Sequence, residues 1–152
     1  MNNGIKRRFG HRLLVDYLGE TVLPQTVLIA EHVLGGGFQT LQIEQPYVEL
    51  GNALSPFDVN EPLVDLAKLE KVVLERPGAD VALCELVDQS RKLYVDKEQL
   101  PDTNGTNNIV VQSDGSLVLL DSTPISNEHP VVQELILGQV MSLEKGLLEL
   151  GV

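Results

Sequence analysis

Oxygen ligands crowd most closely in the loop "DTNGTNN", residues 102–108, where Asp102, Asn104 and Asn107 could face one hard cation. A full calcium loop needs more carboxylates and a bidentate Glu at its end, and this stretch has neither. A solvated Asn/Gly turn is therefore the expected state, and no metal is assigned. His11, His32 and His129 lie far apart, with no His-x-x-x-His or Cys-x-x-Cys spacing, so a structural zinc site is not expected. The one cysteine, Cys84, sits among apolar neighbours in "VALCELV" and reads as a small buried hydrophobe. No Gly-x-Ser-x-Gly elbow, phosphate loop or dinucleotide fingerprint occurs, and the glycine triplet at 35–37 has no Lys after it to pair with phosphate.

Asp121 follows an apolar run and precedes Ser122 and Thr123 in "LVLLDSTP". This resembles the Asp-Thr/Ser-Gly loop of retroviral-type aspartic proteases, whose sites share one proton between two carboxylates. The resemblance implies a hydrolase in which a second carboxylate faces Asp121 across a dimer or pseudo-dimer axis. Thr123 stands where that motif has glycine, a departure at its most constrained position. The expected role is a strand-ending Asp that bonds its own turn. No catalytic residue, cofactor or enzyme activity is assigned.

Charge gives a stronger signal. Lys6, Arg7, Arg8 and Arg12 are four of the eleven Lys and Arg residues, and the next is Lys68. The other 140 residues carry all 22 acids against seven Lys and Arg, a net charge of −15. Such a body repels nucleic acid and anionic lipid, and four phosphate contacts from the basic segment would give only a modest, salt-sensitive affinity. Nucleic acid is not an expected partner. The basic segment is expected to dock on an acidic surface, in cis or in trans, with Phe9 as an apolar anchor.

The elements that would carry these residues read as mostly β. A chain of 152 residues is one ordinary domain with an aliphatic core, since aromatics make up only 4%. The runs "RLLVDYL", "TVLIAEHVL" and "FQTLQIE" read as strands because β-branched residues are frequent. "KLEKVVLERPGADVALCELV" reads as a hairpin turning at Pro77-Gly78, "LYV" as a short strand, and "IVVQSDGSLVLL" as a hairpin turning at Asp114-Gly115. The order of strand, polar turn and short aromatic strand near 79–95 is similar to small SH3-like barrels. At the end, Val132, Ile136, Val140, Leu143, Leu147 and Leu150 recur at helical spacing after Pro130. Gly138 and Gly146 lie inside that helix, where each costs roughly 1 kcal/mol relative to Ala. Close approach of another backbone would explain them.

The sequence thus predicts a mainly β protein, a small barrel or sandwich of about seven to nine short strands with one long C-terminal helix. Its parts are a basic arm (1–12), a β-rich body (13–126) and the helix (127–152). The expected function is non-enzymatic: a subunit that self-assembles or attaches to a larger symmetric particle, with a virion component such as a capsid decoration, connector or tail protein as the example. Lys6, Arg7, Arg8, Phe9, Arg12, Gly138 and Gly146 are the expected contacts with another copy or another assembly subunit. The alternative is a cytoplasmic SH3-like module that binds a protein or small ligand. No apolar run reaches the roughly 18 residues of a membrane span, so virion or cytoplasm is the expected location.

Overall fold

The computed structural model describes residues 3–22, 26–32, 38–44, 48, 50, 53–105, 108–121 and 123–152. It contains helices α1 (Asn3–Leu18), α2 (Leu66–Glu75), α3 (Ala79–Lys97) and α4 (Pro130–Glu149). Two antiparallel hairpins, β1 (Thr26–His32) with β2 (Phe38–Glu44) and β3 (Ile109–Val111) with β4 (Leu117–Leu119), form separate two-stranded sheets. The expectation of a mainly β barrel or sandwich is overturned. Most of the core is built by helices, and no barrel exists among the described residues to support an SH3-like module. The virion and capsid setting, which leaned on a β-rich body, loses that support as well.

The largest misreading falls at 66–97. Its valines suggested strands, yet its buried positions follow helical spacing: Leu69 and Val72 in α2, then Leu83, Leu86, Val87, Ser90 and Leu93 in α3. Asp65 caps α2 by accepting hydrogen bonds from the Ala67 and Lys68 amides at 2.9 and 3.3 Å. Pro77-Gly78 does make a turn, but between helices, with Gly78 at φ 91°. The expected strand "LYV" lies inside α3.

The segment read as a basic arm and a first strand is one helix. α1 runs through position 12 without a break and buries Leu14 and Leu18, one turn apart, beside α3. Tyr17 fixes its far end by donating a 2.8 Å hydrogen bond to Asp96 at the end of α3.

The remaining expectations concern local patterns. β1 and β2 pair from Thr26↔Glu44 to His32↔Phe38, and the glycine triplet at 35–37 lies outside the described residues. The β3–β4 hairpin turns where the sequence placed it. Leu54 and Val111 exchange backbone hydrogen bonds of 3.1 and 2.7 Å, and Val22 bridges Leu119 on the opposite edge. α4 buries Ile136, Val140, Leu143 and Leu147 against α2 and α3. Among the described residues, no helix is long and apolar enough to cross a membrane.

Candidate functional site

Two connecting segments meet beside the β3–β4 hairpin: 100–108, which leads into β3, and 120–125, which leaves β4. Two sets of backbone bonds tie them together. Leu100 and Ile125 exchange bonds of 3.0 and 2.8 Å, and the Leu120 amide donates to the Asn108 carbonyl at 2.8 Å. Asp102 lies between the ties on one segment and Asp121 lies between them on the other. The two aspartate-bearing segments that the sequence offered separately, the "DTNGTNN" loop and the stretch after β4, are held side by side.

Local bonding sets each carboxylate in a turn. Asp102 Oδ1 accepts the Asn104 amide, and Asp121 Oδ1 accepts the Thr123 amide, both at 3.0 Å. The latter is the own-turn role expected for Asp121. Asn108 Nδ2 donates to the Asp102 carbonyl at 3.3 Å, which places this amide beside the Asp102 backbone. Gly105 passes so close to the Asn108 amide that any Cβ there would overlap it. The half-buried Asp102 titrates above the ordinary carboxyl range. Burial is the main cause and the Asp121 charge adds to it, while hydrogen bonds from Asn104 and Asn108 oppose them.

α1 passes along this site. A Cβ on Gly10 would come within 2.7 Å of the Pro124 ring, so the helix lies directly against the segment that carries Asp121. Arg12 and Phe9 are solvent-exposed, Phe9 by 63%. Lys6, Arg7 and Arg8 belong to the same helix. Asn107, the third oxygen ligand suggested by the sequence, lies outside the described residues.

The other residues singled out lie elsewhere. His11 is on α1, where burial lowers its pKa, His129 precedes α4, and His32 is in β1. Among the described residues, no three His, Cys, Asp or Glu side chains converge as a metal cage. Cys84 lines a cleft between α3 and α4 with Val87, Asp88, Glu144 and Leu148. Burial and the charges of Asp88 and Asp80 push its thiol pKa up, so it is a poor nucleophile near neutrality. Gly146 is buried with its Cα toward Leu69, and Gly138 lies beside Pro62. At Gly146 the close neighbour is the Leu69 side chain of the same chain rather than another backbone, and at Gly138 the contact with Pro62 is an ordinary one.

Sequence reasoning missed Asn108, Thr103 and Gln139. The hairpin pattern held a signal for Asn108, because pairing Ile109 with Leu119 necessarily sets residue 108 beside residue 120. No known protein family, curated protein or solved structure matches the chain.

Proposed function

We propose that this protein binds a divalent cation together with a phosphate-bearing ligand, using Asp102, Asn108 and Asp121, and that it acts as a binding protein rather than a catalyst. The observation that carries this reading is the pair of backbone ties, Leu100 with Ile125 and Asn108 with Leu120, that holds two carboxylate segments side by side.

Ligand count favours Mg2+ or Mn2+ over Ca2+. Calcium takes six to eight oxygens, whereas Mg2+ keeps several waters and is commonly held by one or two carboxylates plus substrate phosphates. Two aspartates and an amide fit the second pattern. Phosphoryl-transfer sites of the protein-kinase type use the same residue kinds, a loop Asp and Asn followed by a later Asp, the last two on the metal ions. That is an analogy of roles. Here Asn108 stands six residues after Asp102, one more than in that pattern. The phosphate-cradling glycine loop and strand lysine have no counterpart in residues 13–67, which hold no Lys or Arg. For that reason binding, not transfer, is proposed.

Titration with Mn2+, followed by the electron paramagnetic resonance of the free ion, tests the reading. The parent should bind one equivalent, and Asp121→Asn should weaken binding at least about tenfold, the effect expected when a charged ligand to the metal is lost. Equal affinity in the two proteins would refute the assignment.

Self-association is a second reading, favoured by the exposed Phe9 beside Arg12 on a helix whose opposite face is buried. Salt-sensitive association in light scattering, lost in Phe9→Ser, would support it. A monomer at all ionic strengths would remove it.

A further inference from the structure

Gln139 lies in the middle of α4 and is fully buried, an uncommon place for an amide side chain. Its Oε1 accepts the Thr103 hydroxyl at 2.7 Å, and Thr103 is itself 1% exposed. Its Nε2 points to the carbonyls of Glu61 and Asp58 at 3.1 and 3.3 Å, and to Asn104 Oδ1 at 3.4 Å. One side chain thus joins α4 to two segments more than 40 residues apart in sequence.

Those segments also bond each other. The Asn60 amide donates to Asn104 Oδ1 at 2.7 Å, and Asn104 Nδ2 donates to Asn60 Oδ1 at 3.2 Å. Asn60 adopts φ 60°, a left-handed conformation that Asn tolerates better than most residues. The path then reaches the site, because the Asn104 amide is the group that donates to the Asp102 carboxylate. From Gln139 to Asp102 every step is a hydrogen bond or one peptide unit.

We infer that Gln139 is a positioning residue for the cation–phosphate site: it locks residues 58–61 and 102–104 to α4 as one body, so that the loop holds its binding shape only while both stay attached. The consequence for ligand rests on the proposed function, but the lock does not. Gln139 touches no ligand. It acts by satisfying buried polar groups that would otherwise draw water into the loop.

The test compares Gln139→Met, which keeps length and volume, with the milder Thr103→Val, which removes one hydrogen bond. Leu143→Ala in α4 is the control for plain destabilisation. Hydrogen exchange at the Asn60 and Asn104 amides reads the lock, and Mn2+ affinity reads its effect on the site. Both lock variants should speed exchange at these two amides about tenfold or more, and Gln139→Met should raise the Mn2+ dissociation constant by a similar factor. The amides of Leu54 and Val111 should keep parent protection. Leu143→Ala should change neither local exchange nor affinity beyond its global effect. Parent-like exchange at Asn60 and Asn104 in folded Thr103→Val would overturn the lock. Faster exchange with unchanged Mn2+ affinity would overturn the positioning role. A parent that binds no Mn2+ would refute the proposed function, and exchange alone would still decide whether Gln139 holds the two segments.

Discussion

Asp121 makes Asp102 harder to ionise, although 19 residues separate the two in sequence. Burial of Asp102 is the larger cause and the neighbouring charge adds to it. A folded protein that holds a carboxylate in such a place gives up stability near neutrality. Binding sites commonly carry this kind of cost.

The sign of the effect follows from linkage. A carboxyl whose folded pKa is raised contributes stability that is fully present below its unfolded pKa, about 3.9, and is lost as pH rises through the folded value. Asp102→Asn removes the charge and keeps an oxygen for the Asn104 amide. It should raise the melting temperature at pH 7, and the gain should disappear below about pH 4. Thermal melts from pH 3 to 8 measure it. A variant less stable than the parent at pH 7 would show that the Asp102 charge is compensated.

Gly115 should tolerate no side chain. It sits at φ 85° in the β3–β4 turn, and a Cβ there would overlap the Pro77 carbonyl oxygen of the α2–α3 turn. Left-handed backbone alone costs a non-glycine residue about 1–3 kcal/mol. Gly115→Ala should therefore lose at least 2 kcal/mol or so, and in a protein of this size a melting temperature lower by roughly 4–8 °C. Denaturant and thermal unfolding are the checks.

The two glycines of α4 should behave oppositely. A Cβ at Gly138 meets Pro62 Cβ at 3.5 Å, ordinary contact, so Gly138→Ala should gain up to about 1 kcal/mol of helix propensity. At Gly146 a Cβ would lie 2.7 Å from Leu69 Cδ2. Gly146→Leu should cost about 1–3 kcal/mol through overpacking, with no change in oligomeric state. An oligomer that dissociates while the melting temperature holds would return Gly146 to an interface between subunits.

Cys84 should alkylate slowly. Its raised pKa leaves little thiolate at pH 7, so iodoacetamide should react several-fold more slowly than with a free cysteine peptide, and faster as pH rises. Asp88→Asn should speed the reaction at fixed pH. Parent and variant rates that agree would remove the Asp88 charge as a cause.

How much of this was legible depends on how local each signal is. The α4 stripe and the Asp114-Gly115 hairpin are written within a few turns or strands of chain, and sequence reading placed both. The α2–α3 pair was misread because Val72, Val73, Val81 and Val87 suggested strands and Pro77-Gly78 suggested a hairpin. The 3-to-4 spacing of Leu69, Val72, Leu83, Leu86 and Leu93 held the correct answer. α1 was hidden by its cations and by Gly4 and Gly10, which weaken helix propensity. At the site, each aspartate was visible alone. Their meeting depends on the Leu100–Ile125 and Asn108–Leu120 ties between distant segments, and no local pattern announces the first of these.

Calorimetric titration of ATP into the protein, with and without Mg2+, tests the central claim most directly. The account predicts binding that requires Mg2+, weakens about tenfold or more in Asp121→Asn, and leaves the nucleotide intact on prolonged incubation. ATP binding equally strong in EDTA, or equally strong in the variant, would contradict it.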